Sequence, residues 1–434
     1  MARKLGGVSF SRANQSYVLI QDSEELRISD KMCVATLVNL RRVPSAVEAF
    51  GLIFKSKEYL LRVHPDSYAF FVYDGADYEP RVKGGTPEVG LHLVVANMDF
   101  DGDYIKKYLY VDAEMVGEET TQTGNITGTA NVVYVGGYSG YYSDVDLLAV
   151  YKWNRMLTDT EIQQLYQNPD NPPKDRLVLW LPFTEGMGVI AKDFSDNDNH
   201  GRLYRCKWVN QARRGMYFDN GGIRFDSGLN IDRNYCSVVA VFAIETLKKS
   251  GDALTGRNCI VRFDKDYLML YNDRFTKGLR VTNYDGSWKS VESNIDLEAG
   301  QIYTGVGIMN GNEEHIYLAS NGVIVDHNYR DDLGDCGEYT DTPVYIGSGP
   351  AYYFLHGEVL ATMVYNRPIT EDEIKQISEI NGWWNPPRDR LISWILFDGL
   401  KEGDTVVDKI TGAEGVQIGT PKFVIRKPVR VLSV

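Results

Sequence analysis

The chain has 434 residues, 43% of them hydrophobic and 24% charged, and carries a formal charge of -13 at pH 7. That length exceeds one ordinary hydrophobic core and suits two domains of roughly 200 residues. No apolar run is long enough for a membrane-spanning helix, and the acidic balance opposes a phosphate backbone, so neither membrane insertion nor nucleic-acid binding is expected.

At the start, MARKLGGVSF has a basic pair with no apolar stretch or cleavage site behind it, so a secretory signal is not expected. Short runs rich in Val, Ile, Tyr and Phe then alternate with Gly, Asn and Asp clusters: KYLYVDAEMVG, NVVYVGGY and DLLAVYKW, and later CSVVAVFAI, CIVRFD, YLMLYND and PVYIGSG. This spacing predicts an all-β sandwich. Two segments carry helical signals instead. NRMLTDTEIQQLY offers Thr158 as N-cap and Glu161 as its capping-box partner, with Ile162, Leu165 and Tyr166 on one face. NRPITEDEIKQI repeats the device with Thr370, Glu373, Ile374 and Ile377. Asn-Pro-Pro follows each and cannot continue a helix. The five cysteines (Cys33, Cys206, Cys236, Cys259, Cys336) are scattered and form no C-x-x-C pair, which predicts buried free thiols rather than a disulfide framework or a zinc site.

The decapeptide NPPKDRLVLW at Asn171 returns as NPPRDRLISW at Asn385, identical at seven of ten positions. Trp180 matches Trp394, Asn154 matches Asn366, and Phe10 of GGVSF is matched to Phe225 of GGIRF, which describes a tandem duplication. The series LVLWLPFTEGMGVIAKDFSDNDNHGRLYRCKWV, GMYFDNGGIRFD, a body of strands and GEVLATMVYNRPITEDEIKQI resembles the laminin-G-like, concanavalin A-like jelly-roll family. The resemblance implies two tandem jelly-roll sandwiches, each with one short capped helix, plus a C-terminal β extension. The expected divisions are 1–170 for the first jelly roll, 171–176 for a linker, 177–384 for the second and 385–434 for the extension. On that division the first domain lacks a leader strand and the extension is a leader without a body. Residues 391–425 are therefore expected to complete the first domain, within the chain or in a neighbouring copy; the rival reading has each leader finish the domain before it.

Catalysis is not expected. The paired-carboxylate strand pattern of related glycosidases is missing, as are G-x-S-x-G, H-E-x-x-H and P-loop motifs. No cofactor is expected beyond the calcium that the family resemblance suggests. Asp99, Asp101 and Asp103 in DFDGD have the alternating oxygens of a calcium loop, but the matching MNGNEEH keeps turn chemistry without most of the acids, so a hairpin turn is the preferred reading. Sugar stacking is the remaining chemistry. Tyr138, Tyr141 and Tyr142 in the first copy, and Tyr352 and Tyr353 in the second, are the candidate carbohydrate-binding residues, set against the alternative of aromatic pairs that pack strand on sheet. The expected function is that of a non-enzymatic bacteriophage virion protein (tail, fibre or capsid-decorating), partnered by other virion proteins, its own copies or a host surface glycan. The alternative is a secreted or surface carbohydrate-binding or adhesion protein of a bacterium.

Overall fold

The computed structural model describes residues 6–78, 81–122, 125–209, 214–219, 221–245, 258–263, 268–272, 278–348, 354–401, 404–419 and 421–425. They fall into two compact units, one holding the described residues up to Gly186 and from Ile190 to 209, the other Met187–Val189 and the described residues from 214 onward. Each unit is an all-β jelly roll of two antiparallel sheets with one capped helix, as the family resemblance implies.

In the first unit one sheet runs in the order Glu114–Gln122, Tyr104–Val111, Gly90–Phe100, Lys31–Leu40, Val145–Trp153, Val8–Ser9 and Lys207–Trp208, with Leu177–Leu181 also on Val145–Trp153. The other runs Ile190–Ala191, Gly201–Tyr204, Tyr17–Ile20, Val133–Val135, Phe50–Lys55, Tyr59–Val63, Tyr68–Val72 and Arg81–Gly84. Alternate residues of both sheets, among them Phe10, Val18, Ile20, Val133, Val135 and Leu181, point inward and form the core. The second unit repeats the plan. Val323–Arg330, Glu313–Ser320, Ile302–Asn310, Tyr235–Ile244, Gly357–Tyr365, Arg214–Phe218 and Lys422–Ile425 form one sheet, with Leu391–Leu396 on Gly357–Tyr365. Trp288–Glu292, Leu279–Tyr284, Leu268–Asn272, Asn258–Phe263, Glu338–Ile346, Gly222–Asp232 and Gly415–Ile418 form the other.

The expected divisions need correction. Leu177–Leu181 pairs with Val145–Trp153, Gly201–Tyr204 with Tyr17–Ile20, and Lys207–Trp208 with Val8–Ser9, so the segment taken as the second leader finishes the first domain. Likewise Leu391–Leu396 pairs with Gly357–Tyr365, Gly415–Ile418 with Gly222–Asp232, and Lys422–Ile425 with Arg214–Phe218. The segment 391–425 completes the second domain, not the first, and the rival reading holds. Phe10 also has a different counterpart. A Cβ on Gly136 would meet the Phe10 ring at 2.1 Å and one on Gly347 would meet the Phe218 ring at 2.4 Å, so Phe10 corresponds to Phe218 and the shared GG-x-x-F is coincidental.

The repeated decapeptide explains why each leader stays with the preceding domain. Arg155 donates from Nε to the Asp175 carbonyl at 2.9 Å and from its terminal nitrogens to Glu161 at 2.9 and 2.6 Å. Arg367 does the same with Asp389 at 3.1 Å and Glu373 at 2.8 and 2.5 Å. The NPP-x-DRL stretch is thus a clasped turn rather than a free linker, and it delivers the next strand to the edge it has just left, as short connections between sequential elements do. Its variable position is a cation in both copies: Lys174 lies 3.9 Å over Trp180, and the Arg388 guanidinium 4.2 Å over Trp394. Both capping boxes form, and Arg155 pulls the Glu161 carboxyl down to about 2. Ile162 and Leu165 are buried on Tyr151 and Trp153, whereas Tyr166 is exposed, unlike its expected place on the buried face. All five cysteines are buried and form no disulfide.

An aromatic groove on the first domain

The outward positions of one sheet of the first domain carry rings on successive strands. Because side chains alternate, burying Val18, Val133, Val135 and Ile53 turns Tyr17, Tyr134 and Phe54 outward. Tyr204 stacks on Tyr17 at 4.8 Å, Tyr17 meets Tyr134 edge-on at 5.6 Å, and Tyr134 lies 6.4 Å from Phe54. These are the offset and T-shaped arrangements that ring quadrupoles favour.

The segment 136–143 forms a wall beside this floor. The Gly136 amide donates to the Leu52 carbonyl at 3.0 Å, the Ser143 hydroxyl donates to the Gly51 carbonyl at 2.8 Å, and the Tyr141 amide donates to the Tyr138 carbonyl at 2.7 Å. Gly137 is required by close approach, since a Cβ there would lie 2.6 Å from the Tyr142 ring. The turn lays Tyr138 almost parallel on Phe54, at 3.6 Å and 16°. Tyr17, Phe54, Ser56, Asn131, Val132, Tyr134, Tyr138, Ser139 and Tyr142 enclose a groove of about 380 Å³. None of these side chains is charged. Burial pushes the Tyr138 phenol up to about 12 and raises that of Tyr17, so both hydroxyls stay protonated and can donate as well as accept.

Of the sequence candidates, Tyr138 and Tyr142 line the groove. Tyr141 stands outside it, 41% exposed, with the Arg62 guanidinium 4.7 Å over its ring. Tyr352 and Tyr353 lie outside the described residues. Tyr17, Phe54, Tyr134, Ser56 and Asn131 were not among the candidates. Their signal was available as aromatics at the outward positions of YVLI and NVVYV, but only the doublet beside the closing strand was singled out.

In DFDGD, Asp101 closes a turn and pairs with Lys106, and Asp99 pairs with Lys31. Asp101 Oδ1 accepts from the Asp103 and Tyr104 amides at 3.1 and 2.8 Å, which lowers its pKa, and Asp99 lies 3.4 Å from Lys31. Among the described residues no group of three or more His, Cys, Asp or Glu side chains is arranged to hold a metal.

The match to a family profile agrees with this architecture. The profile of the Concanavalin A-like lectin/glucanases superfamily matches residues 12–163 and 219–375. No curated protein matches the chain. Among solved structures, domains LG4-5 of the mouse laminin alpha1 chain are similar at 11% identity, covering 82% of this chain and 88% of that one, with a TM-score of 0.28. The heptameric SAP-like pentraxin of Limulus polyphemus is 15% identical over 47% of this chain and 94% of its own, with a TM-score of 0.33. The binding domain of botulinum neurotoxin DC, solved in complex with SialylT, is 10% identical over 95% and 84%, with a TM-score of 0.30. With both jelly rolls matched, the chain belongs to the Concanavalin A-like lectin/glucanases superfamily.

Proposed function

We propose that the chain is a non-catalytic glycan-binding protein and that its first domain holds sugar in the aromatic groove. The observation that carries this reading is the lining itself: five rings from Tyr17, Phe54, Tyr134, Tyr138 and Tyr142, joined by Val132 and by the polar residues Ser56, Asn131 and Ser139, with no charged residue among them. Ring faces suit the apolar faces of pyranoses, while phenols, a hydroxyl and an amide meet their hydroxyls, the mix of apolar wall and few polar groups expected of a small-ligand site. Family membership agrees with a binding role. We further propose the surface of a bacteriophage virion as its setting, in a tail, fibre or capsid decoration, where capture of a host glycan serves attachment. The alternative setting is a bacterial secreted or surface adhesin with the same groove. No helix among the described residues is long and apolar enough to cross a membrane, which suits either.

The test is a glycan array with the full chain, followed by titration calorimetry. Tyr134→Ala and Tyr138→Ala are each expected to weaken binding about tenfold or more, equivalent to about 1.4 kcal/mol, without release of reducing sugar by any variant. Unchanged affinity in both, or turnover abolished by changing one carboxylate, overturns the reading. Mass spectrometry of purified virus particles decides the setting.

A further inference from the structure

A buried ionic cluster adjoins the groove residue Asn131. The Lys55 ammonium is fully buried, 2.6 Å from Asp22 Oδ1 and 3.6 Å from Glu58 Oε1, and also donates to the Asn131 carbonyl. Glu58, equally buried, accepts from the Ile28 amide through one oxygen and from the Thr129 amide at 2.6 Å through the other. Asn131 Nδ2 in turn donates to the Ser56 carbonyl at 3.0 Å. A second buried lysine, Lys152, holds the preceding segment by donating to the Glu25 and Arg27 carbonyls at 3.1 and 3.2 Å. The chain of contacts therefore ends on Ser56 and Asn131, two of the groove's polar residues.

Such a cluster is not needed by the fold. Lys55 pairs with Val133, and in the second domain the corresponding partner of Val344 is Phe263; Lys152, three residues before the clasp arginine, corresponds to Val364. Phe263 and Val364 are both buried. Replacing buried ion pairs by apolar residues is often neutral or stabilising, because desolvating the charges costs several kcal/mol each. The second domain has taken the apolar solution at these positions, and the first has kept the charges beside its aromatic groove.

We propose that Lys55 is a positioning residue of the groove. Its ammonium acts as a resident cation that gathers Asp22, Glu58 and the Asn131 carbonyl, and thereby sets Ser56 and Asn131 for ligand without a divalent metal. The second half of this statement rests on the glycan reading above; the first does not. The test uses the full chain with Lys55→Met combined with Glu58→Gln, which removes the ammonium without stranding a buried carboxylate, since Asp22 retains Arg27 at 2.7 Å. Hydrogen exchange without ligand is expected to quicken about tenfold at residues 126–132 while the unfolding midpoint of the domain holds. Affinity for cellohexaose or laminarihexaose, whichever the parent chain binds, is expected to fall about tenfold, and parent binding to be the same in calcium and in EDTA. Unchanged exchange at 126–132, or retained affinity in the double variant, overturns the role of Lys55. Calcium-dependent binding by the parent overturns the resident-cation half. Faster exchange in a chain whose parent binds neither sugar upholds the positioning and counts against the glycan reading alone.

Discussion

The same outward face of the same sheet carries Tyr17, Tyr134 and Phe54 in the first domain and Gly222, Tyr345 and Arg262 in the second. Where Tyr138 lies on Phe54, the Arg262 guanidinium instead lies 4.0 Å over Tyr345. Inward positions changed far less: Val18, Val133 and Val135 correspond to Ile223, Val344 and Ile346, all buried. The contrast has a physical cause, because interdigitated core side chains constrain one another's volume while outward ones are free to diverge. Buried charge follows a third pattern. Lys107 pairs with Glu119 across neighbouring strands in the first domain, whereas Glu314, opposite Arg330 at the corresponding place in the second, is buried with neither carboxyl oxygen hydrogen-bonded among the described residues. What duplication preserved at this place is a buried ionisable residue, not the partner that meets it.

The largest expected effect tests which domain owns each leader. A chain ending at Pro387 loses the strand Leu391–Leu396 and with it buried Trp394, Ile395 and Phe397, each worth roughly 1.5–3 kcal/mol. Calorimetry with limited proteolysis is expected to show the second domain unfolded and the first intact. A destabilised first domain beside an intact second one would reverse the assignment made from strand pairing.

Next in size is the buried carboxyl of Glu314. Burial pushes the Glu314 carboxyl up to about 8, so in the folded domain it binds its proton more tightly than in the unfolded chain. Its contribution is therefore present below the unfolded carboxylate value and lost as pH rises toward the folded one, which makes the second domain weaken between about pH 4.5 and 8. Glu314→Gln is expected to remove that slope and to stabilise the second domain by on the order of 4 kcal/mol at pH 8, with the first domain unaffected. A denaturation series across this pH range that leaves both slopes unchanged would show that Arg330 already neutralises the carboxylate.

The smallest effect concerns a feature the domains share. Thr158→Ala and Thr370→Ala each remove an N-cap, and each is expected to cost about 0.5–2 kcal/mol in its own domain only. Loss of both transitions from either change would mean that the domains do not unfold separately.

Sequence alone determined the features that repeat locally: the all-β class from short alternating runs, the duplication from matched motifs, and both helices with their caps, since a Thr-x-x-Glu box is satisfied within one turn. It also pointed to Tyr138, as an aromatic beside two glycines, and to Tyr142, as one of the adjacent aromatics before the closing strand. Tertiary structure decided everything that depended on register and partnership. Leader ownership turned on which strand edge lay nearest when the chain emerged from the NPP-x-DRL turn, and the Arg155 and Arg367 clasps that settle this join residues twenty or more positions apart. The groove floor was hidden for the same reason: Tyr17, Phe54 and Tyr134 come from three strands distant in sequence, and only hydrogen-bonded pairing brings their outward faces side by side. Local pattern specifies what each segment can become; long-range pairing specifies what it will touch.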